Sequence, residues 1–133
     1  LMYFKDKTPL IFIDIHAEAT SEKQAFAHYF DGKVTAIFGT HTHVPTADER
    51  VLPGGTAYIT DVGMAGAVNS LLGVEPKPVI QRFLTQMPVK FTVEMKPPYV
   101  LNAVLVRVDK MSGRAQSIER IVIYDTQQVV DTE

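Results

Sequence analysis

Three of the four histidines in this sequence stand directly after short apolar runs. His16 follows Leu10-Ile-Phe-Ile-Asp-Ile15, and His41 and His43 follow Val34-Thr-Ala-Ile-Phe38 within Gly39-Thr-His-Thr-His43. A neutral imidazole offers a nitrogen lone pair to a borderline metal such as Mn, Fe or Zn. The single residue between His41 and His43 suits two arrangements. In extended backbone the rings share a face and can bind one ion; in kinked backbone each can serve one of two adjacent ions. His-x-His alone is a weak metal signal, and the alternative of two loop histidines bonded to solvent and backbone stays open. The fourth, His28, falls with Gln24 and Asp31 on the polar side of an expected helix and reads as a solvated surface residue.

Several neighbouring polar residues have weaker claims. Asp14 shares a strand face with His16, because side chains two apart point the same way. It can orient an imidazole from behind, or it can be a sheet-edge carboxylate satisfied by backbone donors. Glu18 and Asp61 lie near strand ends, where structural or capping roles are expected. Thr40 and Thr42 are expected to bond neighbouring loop groups and nothing more.

The elements that would position these residues follow from periodicity. Leu10–Ile15 and Val34–Phe38 are apolar and β-branched, as buried strands are. Between them, Ser21-Glu-Lys-Gln24 fits a capping box, Ala25, Phe26, Tyr29 and Phe30 form an apolar helical stripe, and Gly32 marks the helix end. Strand, helix, strand with tight connections is a βαβ unit, so the two strands run parallel. Their carboxyl ends then share one sheet edge, the edge where open α/β sheets place ligands. His16 and the His41–His43 pair therefore converge. Gly39 is expected to let the chain turn sharply off its strand.

Further along, Val51–Gly55 reads as a turn and Thr56–Thr60 as a third strand. Gly63–Gly73 reads as a long surface loop. Pro78–Gln86 reads as a short helix with Val79, Phe83 and Ile80 inward. Val89–Met95 and Leu101–Val108 alternate like strands, and Ser112-Gly113 is a hairpin turn before Ala115–Tyr124, with Ile118, Ile121 and Ile123 apolar. The apolar residues of these later strands are expected in the core, and the polar C-terminal residues are expected to fray.

Composition limits the functional classes. With 133 residues, 46% hydrophobic and 21% charged, the chain is long enough for one compact domain and is not of disordered type. A formal net charge of −2 gives no bulk attraction to nucleic acid or anionic membrane. The absence of cysteine excludes disulfides, thiolate metal sites and cysteine nucleophiles. Apolar runs are strand-sized, and Leu1–Asp6 carries charge where a signal peptide needs an apolar core, so a cytoplasmic location is expected. Met2 can be an initiator, and processing or truncation explains the Leu1 start equally well.

Longer motifs add to this reading. Phe12-Ile-Asp-Ile-His16-Ala-Glu-Ala-Thr20, Gly39-Thr-His-Thr-His-Val44, Thr46-Ala-Asp-Glu-Arg50 and Ala57-Tyr-Ile-Thr-Asp-Val-Gly-Met64 together resemble the YmdB-like metallophosphoesterases, a calcineurin-type family. The resemblance extends through Gln81-Arg-Phe-Leu-Thr85 and Ile118-Glu-Arg-Ile121. It implies an α/β fold, with residues 1–133 a single domain. That domain would be the C-terminal half of a metallophosphoesterase-type sandwich of two mixed sheets flanked by helices. It also implies a dinuclear Fe or Mn centre and hydrolysis of phosphodiesters, notably 2′,3′-cyclic nucleotides. His16 and His41 would be ligands of one divalent metal, and His43 of the other.

The family's aspartate, its bridging glutamate followed by asparagine, and its Asn-His pair are expected in an N-terminal half, the histidine of that pair being the leaving-group acid. No Asn-His pair occurs in this sequence, so no catalytic residue is assigned to it. Expected partners are a small-molecule phosphodiester and either the N-terminal half or a second copy covering apolar faces. Neither membrane nor strong nucleic-acid binding is expected. Two rival functions remain: a non-catalytic metal-binding or regulatory module, and a hydrolase of amides or phosphomonoesters on the same metals.

Overall fold

A computed structural model of the chain describes residues 6–125. Strand β1 (Phe12–His16) leads through helix α1 (Thr20–Phe30) to β2 (Ala36–Thr40), followed by β3 (Arg50–Val51) and β4 (Ala57–Ile59). These strands form one sheet in the order β1-β2-β4-β3. β1, β2 and β4 are parallel, and β3 is antiparallel to β4. The βαβ expectation is met, and the β1–β2 register sets His16 beside Thr40. β5 (Ala65–Ala67), helix α2 (Pro76–Thr85), β6 (Tyr99–Val108) and β7 (Ala115–Asp125) follow among the described residues, with β5-β6-β7 a second sheet. The described residues form an α/β architecture of two sheets and two helices, as the resemblance implies. No described helix is long and apolar enough to cross a membrane.

The chain divides into two compact units, one drawn from Leu1–Gly63 and Ala103–Ile121, the other from Met64–Asn102 and Val122–Glu133. In the first unit, strand alternation sorts side chains onto two cores. On one face of the first sheet, Ile37 and Tyr58 join Ala27, Val34 and Leu52, with Ile13, Ile15, Phe26 and Phe30 packed against them. On the other face, Ala36, Ala57 and Ile59 meet Ala115, Ile118, Val104 and Val106. Helix therefore covers one face and strand residues the other.

α1 departs from expectation in two ways. Its N-cap is Ala19, with no capping side-chain bond, so the Ser21–Gln24 box does not form; Ser21 already lies in the first turn. Its buried residues are Lys23 and Ala27, whereas Ala25 is exposed and Tyr29 is 68% exposed. The inner face runs through 23, 26, 27 and 30, because a buried ion pair at Lys23 sets the helix phase. His28 is exposed, as expected. Asp31 is not a solvated partner of it, since its carboxylate accepts the Gly54 and Thr56 amides at 2.7 and 3.3 Å.

Gly39 also has a different job. It lies buried inside β2, and a Cβ there would collide with the Thr60 carbonyl. Close approach of two backbones, not a turn, requires the glycine. Val51 belongs to β3, so the turn expected from it starts later. The hairpin at Ser112-Gly113 is present; Gly113 has φ 72° and donates its amide to the Asp109 carbonyl.

In the second unit, β5 pairs antiparallel with β6 from Ala65↔Leu101 to Ala67↔Tyr99, so the expected glycine-rich loop contains a strand. α2 buries no residue, and Ile80 and Phe83 are 51% and 76% exposed, contrary to the inward placement expected for them; Val79 is half-buried. Val89–Met95 forms no strand, only a Val74↔Val93 bridge. Ile123 of β7 is exposed rather than core. The expected frayed C-terminal residues lie outside the described residues.

Candidate functional site

The carboxyl ends of β1, β2 and β4 bring together His16, Thr40, the His41–Thr42–His43 loop and Asp61. A chain of polar contacts runs along this edge. Thr40 Oγ1 donates to Asp14 Oδ1 at 2.7 Å, and His16 Nδ1 lies 3.0 Å from the same hydroxyl. His16 Nε2 is 3.1 Å from His41 Nδ1, with the rings edge to face at 89°. His41 Nε2 then meets Glu18 Oε2 at 2.9 Å. The two ring nitrogens of His41 are thus flanked by His16 Nε2 on one side and the Glu18 carboxylate on the other.

His41 and His43 have φ 110° and 67°. Positive φ is unusual for a non-glycine residue and marks stored strain. What holds the loop is Asp61, which is 1% exposed. Its Oδ2 accepts the Thr42 amide at 3.0 Å and the Lys23 ammonium at 3.0 Å, and its Oδ1 accepts the Gly63 amide at 2.9 Å. Burial pushes the Asp61 carboxyl up, but the Thr42 and Gly63 amides and the Lys23 ammonium outweigh it, and the group titrates below its ordinary range. Lys23 is itself 0% exposed, so the pair is fully buried. A second carboxylate braces the next turn. Asp48 accepts the Thr60 hydroxyl at 2.5 Å, the Thr60 amide at 3.1 Å and the Thr46 hydroxyl at 2.6 Å. Burial raises its carboxyl, yet the Thr46 and Thr60 donors bring it below the usual value.

Of the sequence-derived site residues, His16 and His41 are in contact, and His43 shares the strained loop. Asp14 bonds a side chain, Thr40, rather than the backbone donors that were one expectation for it. Glu18 reaches His41, and among the described residues no side-chain bond caps α1; Asp61 is structural. Thr40 does more than bond its loop, and Lys23 was not singled out at all. Apolar periodicity gives no signal for it, because its inward turn is set by an aspartate 38 positions away.

Among the described residues, no group of three or more His, Asp or Glu side chains is arranged to hold a metal ion. The donor chemistry of the His16–His41 pair nonetheless suits one. Two imidazole nitrogens this far apart can each lie about 2.1 Å from a shared cation, subtending roughly 95°. The site is then one edge of a coordination sphere rather than a whole one.

Known proteins agree with this architecture. A relative from Bacillus subtilis (strain 168), named 2′,3′-cyclic-nucleotide 2′-phosphodiesterase, is 53% identical over 119 residues, covering 90% of this chain and 45% of the relative. A Mycoplasma pneumoniae protein, provisionally named phosphatase/phosphodiesterase, is 45% identical over 125 residues, covering 93% and 44%. The crystal structure of a novel phosphatase from Mycoplasma pneumoniae superposes with TM-score 0.85 at 45% identity, over 92% of this chain and 44% of that one. A hypothetical protein from Thermus thermophilus gives TM-score 0.84 at 39% identity, over 93% and 48%. The chain spans just under half the length of these relatives. Residues 1–121 match the family described as YmdB-like protein, and the chain belongs to that family.

Proposed function

We propose that this chain is part of a metal-dependent phosphodiesterase acting on small phosphodiesters, 2′,3′-cyclic nucleotides in particular, through two divalent cations, Fe or Mn. The observation that carries the reading is the 3.1 Å approach of His16 Nε2 to His41 Nδ1 at the carboxyl edge of the parallel strands. The names of the Bacillus and Mycoplasma relatives support the reaction class. His16 and His41 would hold one cation and His43 would contribute to the other, with the remaining ligands and the leaving-group acid supplied by polypeptide beyond this chain. When bound, the cations supply the positive charge that offsets the phosphate's and make water nucleophilic at neutral pH.

The chain's own residues have positioning tasks. β1 and β2 hold His16 through their register with Thr40, and Asp61 ties the Thr42 amide between the two strained histidines. Three neutral imidazoles do not offset two dications, so anionic ligands from the rest of the polypeptide are needed electrostatically. That polypeptide, or a second copy, would also cover apolar side chains such as Phe83, Leu84 and Met95, which are exposed. We place the protein in the cytoplasm.

The test is hydrolysis of 2′,3′-cyclic AMP by the full-length protein with Mn²⁺ or Fe²⁺, alongside metal content of His16→Ala, His41→Ala and His43→Ala. Turnover should require the metal and fall at least ~10²-fold in each variant, with loss of bound ion. Full metal occupancy in all three variants would refute the assignment.

A further inference from the structure

We infer that Asp14 and Thr40 are positioning residues: together they hold the His16 imidazole as its Nδ1–H tautomer, leaving the Nε2 lone pair turned toward His41. The inference rests on the reading of His16 as a cation ligand and deepens it.

Donor balance carries the argument. An ionised Asp14 can only accept. Its Oδ1 lies 2.7 Å from Thr40 Oγ1, so the single hydroxyl proton points there. Thr40 Oγ1 then presents only lone pairs to His16 Nδ1, 3.0 Å away, and Nδ1 must carry the hydrogen. A neutral imidazole has one N–H, so Nε2 is bare. This is the nitrogen that stands 3.1 Å from His41 Nδ1. The arrangement is built on strands rather than on a loop. His16 and Thr40 are register partners on β1 and β2, and Asp14 lies two residues back on the His16 face. A ring fixed this way meets a cation without first exchanging its tautomer.

Three variants separate this from a merely structural role. Thr40→Ser keeps the hydroxyl. Thr40→Val removes it at nearly equal volume. Asp14→Asn supplies an amide that can donate to Thr40, freeing the hydroxyl proton to face Nδ1 and driving His16 toward Nε2–H.

The full-length protein, stripped of metal and labelled with ¹⁵N in histidine, is read by long-range ¹H–¹⁵N correlation of the rings. The same samples are then titrated calorimetrically with Mn²⁺. Wild type and Thr40→Ser should show His16 protonated at Nδ1, whereas Thr40→Val and Asp14→Asn should lose that signature. Mn²⁺ affinity should fall ~10–100-fold in those two and stay within about threefold of wild type in Thr40→Ser. Nε2–H in wild-type His16, or an unchanged tautomer in Asp14→Asn, overturns the inference. Tautomers that shift as expected while Mn²⁺ affinity stays constant uphold the tautomer assignment and overturn the reading of His16 as a cation ligand. Should Thr40→Val fail to fold, Asp14→Asn carries the test alone.

Discussion

Replacing Lys23 by methionine should reveal how strongly the histidine loop depends on a buried charge. Lys23 and Asp61 are 0% and 1% exposed and 3.0 Å apart. Breaking a buried ion pair by deleting one partner typically costs about 3–5 kcal/mol, because the other charge is left uncompensated. After Lys23→Met, however, Asp61 keeps the Thr42 and Gly63 amides at 3.0 and 2.9 Å, and methionine fills much of the lysine's volume. The cost should sit at the low end, about 3 kcal/mol. Asp61→Ala strands the ammonium and both amides, and each unsatisfied buried donor adds ~1–3 kcal/mol, so it should exceed Lys23→Met by at least ~2 kcal/mol. The double variant should be less destabilised than the sum by about 2 kcal/mol, since it leaves no stranded charge. Urea unfolding of the full-length protein measures all three. A Lys23→Met loss equal to or larger than that of Asp61→Ala, or zero coupling, would refute the account. The pH dependence has a definite sign. Asp61 titrates below its ordinary value of 3.8 in the fold, so its contribution is complete above that pH and is lost as pH falls through the folded value.

Gly39→Ala drives a methyl into the Thr60 carbonyl and should cost about 3 kcal/mol or more. Gly66→Ala, whose new Cβ would meet only the Met64 side chain, Sδ at 3.8 Å and Cε at 4.0 Å, serves as the control in the same thermal melts. Asp48→Asn weakens the bonds from Thr46 and Thr60 and should cost about 1–3 kcal/mol at neutral pH. The difference from wild type should narrow below pH 4, because the Asp48 carboxyl is also depressed in the fold. The 133-residue chain expressed alone should bind Mn²⁺ weakly and turn over cyclic nucleotide far more slowly than the full-length protein; equal rates would show that its own histidines suffice.

The parallel strands were legible because their chemistry is local. Leu10–Ile15 and Val34–Phe38 are short apolar β-branched runs, and a helix between two strands fixes their relative direction without knowledge of contacts. The convergence of His16 with His41 follows from that direction alone. The phase of α1 was not legible, since apolar periodicity treats lysine as an outward residue. Here an aspartate 38 positions away turns it inward. β3 and β5, of two and three residues, are too short to show any period. The apolar positions of α2 mislead for the opposite reason: the pattern anticipates a covering surface, and the described residues leave Phe83 and Leu84 without one. Gly39 was legible as a requirement for glycine, but the letter alone does not distinguish a turn from two backbones in close approach.

The two histidines of the loop and the one on the strand are held by different physics. His16 is fixed by β1–β2 pairing and by a neutral hydroxyl that relays the orientation of Asp14. His41 and His43 stand at positive φ on either side of Thr42, an arrangement costing ~1–3 kcal/mol per residue unless its surroundings over-determine it. The Thr42 amide is pinned to a carboxylate that is in turn held by a buried ammonium on α1, so the strain is opposed from across the sheet. Helix packing thereby reaches the candidate ligands through one aspartate. A loop held only by its own turns would relax toward negative φ and swing the His41 ring away from His16. The buried Lys23–Asp61 pair therefore has a geometric use, whatever its net contribution to stability: it keeps an unfavourable backbone where the chemistry needs it.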